Sequence, residues 1–339
     1  MRKLSFLAGA IVFAAILSTS CKKDDPVNPP VIQVNVYTAG NEYESSTTPV
    51  PVIYKDSDEL YRMEKGSTVS GVAFIGGDVY ACGTSAENHP VLWKNGKSVN
   101  SALTALTGTL SDMANDGTNW FCCGDVEVDG KTYGIITKNG EEVFRSKDPD
   151  SFVAIDLGAS GNCYVVEKTE DNVNLLRVDA SKSELLSTTL ITGDLRFVPT
   201  DIYVGLQDIC VSLNLRTVDR DNAYCWISTT SDSLIGLCDS DSFAECVAIY
   251  NGYVITGGYI VDKSGNTVAT QWTNAYAEDY SYGCNPGSSS VKLLLNGGYN
   301  LYEAVQSPGQ IQICCNGALI GTINCNNTFD ATAWDIIRI

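Results

Sequence analysis

From Ile32 to Ile339 the apolar positions come in short alternating runs, and the same succession of runs and polar turns returns seven times. One run in each copy opens on a pair of strand-forming residues: Val36-Tyr37, Val79-Tyr80, Trp120-Phe121, Cys163-Tyr164, Ile209-Cys210, Val254-Ile255 and Leu301-Tyr302. The second members of these pairs are 43, 41, 43, 46, 45 and 47 residues apart. Such stretches, rich in Tyr, Val, Ile and Trp, predict strands packed on both faces. Several end in Gly40, Gly83, Gly124 or Gly257, which predicts a bulge or a close backbone approach at the strand end.

A second run leads into a tight turn, as in Tyr54-Lys55-Asp56, Trp93-Lys94-Asn95-Gly96, Thr137-Lys138-Asn139-Gly140 and Cys314-Cys315-Asn316-Gly317. Asn-Gly tolerates the positive φ angles of a type I′ hairpin. An apolar strand closes each hairpin, and another precedes each opening: Val69 to Ile75, Asp112 to Asp116, Phe152 to Leu157, Val198 to Val204, Cys246 to Tyr250 and Val291 to Leu295. With the strands labelled a to d outward from the centre, the first copy lacks strand a. Trp334 to Ile339 is a strand a without a copy of its own. Joining the two closes a ring and removes two sheet edges. The expectation is all-β: a seven-bladed β-propeller of four-stranded blades over residues 32–339, closed by the C-terminal strand. A two-sheet sandwich would explain neither the even period nor the complementary ends.

The Val-Tyr-x-Ala and Trp-Lys-Asn-Gly stretches around Val79 and Trp93 resemble the repeats of kelch- and WD40-like seven-bladed propellers. They resemble more closely those of surface lipoproteins of Bacteroidota-type bacteria. The resemblance implies a fold and a place in the cell. It implies no activity, because propellers serve as enzymes, glycan binders and protein platforms alike.

Residues 1–20 read as a lipoprotein signal peptide: Met1-Arg2-Lys3, an apolar run from Leu4 to Leu17, and Leu17-Ser18-Thr19-Ser20 before Cys21. Cys21 would be acylated, with palmitate-type chains as the only membrane attachment. Residues 21–31, with Lys22-Lys23-Asp24-Asp25 and three prolines, read as a flexible tether. Lysine followed by paired acids resembles a surface-export signal, so the expected location is the outer membrane, facing the cell surface. The alternative is its periplasmic face.

Removal of the signal leaves 20 basic and 40 acidic residues. That balance argues against nucleic acid, which needs clustered Lys and Arg. The b–c and d–a loops share one rim. As assigned from sequence, they hold 20 acids and 8 bases in 107 residues. The densest clusters are Asp125-Val126-Glu127-Val128-Asp129, Asp219-Arg220-Asp221 and Asp239-Ser240-Asp241. These are the binding candidates, for a glycan, a peptide or a protein partner. None has the spacing of a calcium loop.

Twelve cysteines remain besides Cys21. Most fall inside predicted strands, as buried small hydrophobes, so mostly free thiols are expected. Cys238, Cys284 and Cys325 lie in loops and are the better bridge candidates. No Cys-x-x-Cys pair occurs, and His89 is the single histidine, which argues against metal and cofactor sites and against a catalytic triad. His89 reads as an exposed loop residue. Trp93, Trp226 and Trp272, with Tyr54, share one column in strand c and read as packing between blades, while Trp120 and Trp334 read as core. Tyr43, Tyr259, Tyr276 and Tyr282 are looser candidates for a contact surface. No catalytic residue is assigned. A non-catalytic binding or scaffolding module is the first reading, and a carbohydrate-active enzyme using rim carboxylates is the alternative.

Overall fold

The computed structural model of the chain describes residues 34–338, apart from 46, 100, 180–183, 195, 230–233, 274–288, 297–299 and 326–327. Asn35–Ile337 form one compact unit, a closed seven-bladed β-propeller of antiparallel sheets. Strand a of blades 2 to 7 is, in order, Thr68–Ile75, Thr107–Asn115, Ser151–Leu157, Phe197–Val204, Ser242–Tyr250 and Ser290–Asn296. Blade 1 takes its strand a, Thr328–Arg338, from the far end of the chain and places it beside Val34–Ser45. Six sheets have four strands. Blade 6 shows Ser242–Tyr250, Tyr253–Val261 and Thr267–Thr273, and its continuation lies outside the described residues. So do the signal peptide, Cys21, the tether, Cys284, Tyr276 and Tyr282.

The polar turns work by a repeated device. Asn95, Asn139 and Asn316 have φ of 50°, 52° and 50°, each followed by a glycine of positive φ, as a type I′ turn requires. Each side chain then reaches back to strand b. Asn95 Oδ1 accepts from the Val79 N–H at 2.9 Å, Asn139 from Trp120 at 3.1 Å and Asn316 from Leu301 at 2.8 Å. Asp56 does the same for Val36, and Ser228 for Ile209. The turn side chain ties the c–d hairpin to its own blade.

Strand a begins earlier than the sequence pattern predicts in blades 3 and 6, at Thr107 rather than Asp112 and at Ser242 rather than Cys246. A bulge interrupts the alternation near the start of this strand in blades 2 to 7. The glycines on strand b face it. A Cβ on Gly83 would strike the Thr68 carbonyl, and one on Gly124 the Thr109 carbonyl. Gly124→Ala is therefore expected to destabilise the fold by roughly 1–3 kcal/mol, the usual cost of overpacking. Denaturant titration checks this, and an unchanged midpoint would show that the approach is not tight.

The core lies between blades. Trp93 packs with Tyr37, Ala39 and Ile53 of blade 1, Trp226 with Val166 and Leu175 of blade 4, and Trp272 with Cys210 and Cys225 of blade 5. Each of these three strand c tryptophans thus packs with the preceding blade, as its repeated position predicts, while Tyr54 meets Phe329 within blade 1. Trp120 is buried, but Trp334 is only half-buried and lines the axial cavity, a correction to its reading as core. The described loop cysteines, Cys238 and Cys325, are free thiols and do not bridge, and so are most of the cysteines inside strands. Burial pushes the Cys163 and Cys225 thiols up to about 12, which suits inert packing groups.

Candidate functional site at the axial mouth

In blades 2 to 7 the bulge in strand a turns one side chain toward the propeller axis, and Thr332 takes the matching place in blade 1. Going round from blade 1 these are Thr332, Ser70, Ser111, Val153, Thr200, Glu245 and Lys292, and all seven line a cavity of 360 Å³. Asp330, at the start of the closing strand and so on the side of the b–c and d–a loops, also lines it. On the hydroxyl side, the bulge residue clips the next blade. Thr332 Oγ1 donates to the Val69 carbonyl at 2.9 Å, Ser70 Oγ to Leu110 at 2.5 Å and Thr200 Oγ1 to Ala244 at 3.0 Å.

Four aspartates on strand a carry a second set of clips. Asp112, Asp156 and Asp201 each accept the next residue's N–H on Oδ1 and an N–H of the following blade on Oδ2. The inter-blade donors are Ile155 at 2.9 Å, Val204 at 2.7 Å and Val247 at 2.9 Å. Asp335 Oδ2 accepts from Phe74 at 2.8 Å and so ties blade 1 to blade 2. Burial pushes the Asp156 carboxyl up to about 6 and Asp201 up to about 7, against the opposing pull of those N–H groups. Burial, reinforced by the Asp201 charge, raises Asp112 well above the usual range. Two acceptor oxygens on one short side chain explain why this position takes Asp rather than Asn.

Blades 6 and 7 break the pattern. Here the bulge residues are charged, and Lys292 Nζ lies 2.9 Å from Glu245 Oε1 and 3.0 Å from Asp330 Oδ1. Burial alone would lower the ammonium, but the two carboxylates outweigh it and hold Lys292 above its ordinary value. This ion triad links blades 6, 7 and 1.

A second column, four residues past each strand b opening, holds the following blade in five copies and departs in two, with Lys168 in blade 4 and Tyr259 in blade 6. Asn41 exchanges two hydrogen bonds with the backbone of Val69 in the next blade, and Asn214 does so with Ala244. Thr84 pairs with Thr109, Asp125 bonds Ser151, and Gln306 donates to the Phe329 carbonyl. In blade 6 this column holds Tyr259, stacked on Phe243 with centroids 5.7 Å apart and planes at 11°. Beside it lies a recess of 390 Å³ that shares Glu245, Lys292 and Asp330 with the axial cavity and is also lined by Tyr43 and Gln306.

The acidic rim divides on inspection. Asp125 is a blade clip, half-buried, its carboxyl raised by burial against the Ser151 bond. Glu127 is exposed, and Asp129 occupies the hairpin turn at φ 52°. Asp221 and Asp241 come together, the Asp221 N–H donating to Asp241 Oδ1 at 3.1 Å, and Arg220 between Asp219 and Asp221 donates to the Asp239 carbonyl at 2.6 Å. Glu42, Asp150, Glu167 and Glu303, counted above among rim acids, are buried inside or between blades. His89 is half-buried rather than exposed, its Nδ1 2.7 Å from the Leu106 carbonyl. Among the described residues no group of three or more His, Cys, Asp or Glu side chains is placed to hold a metal ion. Sequence reasoning missed Glu245 and Lys292, the two charges in a column otherwise of Ser, Thr and Val, and left Asp330 undistinguished among the rim acids.

The fold places the chain among β-propellers, and comparisons with solved structures agree. A chain from a structural and mechanistic study of two prolyl endopeptidases matches over 87% of this chain and 50% of its own, with TM-score 0.52 and 10% identity. A protein from Lactobacillus plantarum matches over 90% of this chain and all of its own, with TM-score 0.52 and 9% identity. The chain thus spans about half the length of the prolyl endopeptidase chain. Likeness at this identity speaks for the fold alone. No protein-family model and no curated protein matches the sequence.

Proposed function

We propose that the chain is an outer-membrane lipoprotein, anchored through acyl chains on Cys21 and carried by its tether to the cell surface. Its propeller acts as a non-catalytic binding module, and the ligand enters at the axial mouth. The observation that carries this reading is the break in the ring of bulge residues: the uncharged residues of blades 1 to 5, of which Thr332, Ser70 and Thr200 clip the next blade, give way in blades 6 and 7 to an ion triad open to two cavities.

One observation favours the enzyme alternative. Glu245 and Asp330, bonded to one ammonium, are paired carboxylates at a cavity, as the acids of a glycosidase are. The Lys292 ammonium, however, fills the space between them, where a glycosidic oxygen would have to sit. The arrangement therefore suits recognition better than proton transfer. Purified chain should be retained on polysaccharide without releasing reducing ends, and release of such ends would overturn the non-catalytic reading. Cys21→Ala should move the protein from the membrane fraction to the soluble fraction. Retention in the membrane would overturn the anchor.

A further inference from the structure

We propose that the recess between blades 6 and 7 is a subsite for a neutral sugar residue, with Tyr259 as its stacking platform and Glu245 and Asp330 as its hydroxyl acceptors. The inference rests on the binding-module reading and adds the ligand's chemistry. The repeat acts as an internal control. Where blades 1, 2, 3, 5 and 7 place Asn, Thr, Asp, Asn and Gln to hold the following blade, blade 4 places Lys168 and blade 6 places a tyrosine, the one aromatic in the column. Its neighbour Phe243 pairs with it in strand register and lies nearly parallel to it. Phe243 backs the Tyr259 ring, and Tyr259 lines the recess as its aromatic surface, of the kind that meets the C–H face of a pyranose.

The polar groups around that face are acceptors. Lys292 bonds one oxygen of Glu245 and one of Asp330, which leaves Glu245 Oε2 and Asp330 Oδ2 to receive hydroxyl protons. Asp330 is the more open of the pair, its side chain 44% exposed. Gln306 Oε1 is buried without a hydrogen-bond partner, while its amide nitrogen is committed to Phe329. A buried acceptor of this kind is costly unless a donor arrives. Acceptors over an aromatic face select a ligand rich in hydroxyls. The triad's excess of one carboxylate disfavours uronic or sialic acids. The volume of 390 Å³ lies within the about 300–1,000 Å³ of small-ligand sites.

The test is calorimetric titration of the full-length protein in detergent with malto-, cello-, manno- and xylo-oligosaccharides. At least one neutral series should bind. Tyr259→Ala should weaken it about tenfold or more, roughly 1.4 kcal/mol, whereas Tyr259→Phe should keep most of the affinity. Glu245→Gln should also weaken binding, while Lys94→Ala, at a c–d hairpin away from the recess, should not. Circular dichroism on each variant separates loss of binding from loss of fold. Neutral-sugar binding untouched by Tyr259→Ala would sink the subsite and leave the binding module standing. Binding of a peptide library but no sugar would overturn the sugar assignment. Turnover of a bound oligosaccharide would overturn the non-catalytic reading itself.

Discussion

A chain ending at residue 327 should fail to fold cooperatively. Thr328–Arg338 supplies the innermost strand of blade 1, so its loss bares the edge of Val34–Ser45 at the axis and opens the ring. With the strand go Phe329, which is 2% exposed and meets Tyr54 edge-on at 5.4 Å, the Thr332 bond to Val69 and the Asp335 bond to Phe74. Removing a buried phenylalanine side chain alone costs about 3–5 kcal/mol. Each buried backbone group left unpaired adds about 1–3 kcal/mol. Together these rival the about 5–15 kcal/mol that holds a typical domain. Thermal unfolding followed by near-ultraviolet circular dichroism should show no sharp transition in the truncated chain. Phe329→Ala in the full chain should unfold cooperatively at a lower temperature. A sharp transition in the truncated chain would mean that the ring does not depend on its closing strand.

Stability should also rise as the pH falls from about 8 to about 5. Asp156 titrates at about 6 and Asp201 at about 7 in the folded protein, both above the ~3.9 of a free aspartate. A group whose folded value is raised stabilises fully below its unfolded value, and loses that contribution as the pH climbs through the folded one. The window is therefore about pH 4 to 7, with a slope of up to ~1.4 kcal/mol per pH unit for each proton taken up on folding. Asp201→Ala should remove part of this slope. It should also orphan the Val247 and Ile202 N–H groups, lowering stability by roughly 1–3 kcal/mol for each. Urea titrations across the pH range would read both effects. A stability that falls steadily from pH 8 to 5 in the wild-type chain would contradict the assignment of raised carboxyls at the axis.

Much of this architecture was legible in the residues because each blade repeats the same local physics. Asn-Gly marks the c–d turn, the b-strand glycines mark the approach of the bulge, and the strand c aromatics mark the blade interfaces. What escaped was the interior chemistry of strand a. The bulge shifts alternation by one residue, so Asp112 and Cys246 read as strand starts rather than as mid-strand positions that reach the following blade. The same shift hid Glu245, just before the predicted strand at Cys246, and Lys292, inside the predicted strand Val291 to Leu295, until the bulge places them in one ring. The acidic rim was over-read for a related reason. Glu42 and Glu303 lie near strand ends in sequence, yet they bond Tyr54 and Gln271 in the interior.

The central claim is that the break in the repeat at blades 6 and 7 marks the ligand site, and hydrogen–deuterium exchange with and without a bound oligosaccharide tests it most directly. Protection is expected in Tyr253–Val261, Ser289–Lys292 and Asp330–Asp335, the segments that carry Tyr259, Lys292 and Asp330. The cleft between blades 2 and 3, where Leu92, Leu103 and Trp120 line a separate cavity, should show no change. Protection centred on that cleft, with none around Lys292, would contradict the account.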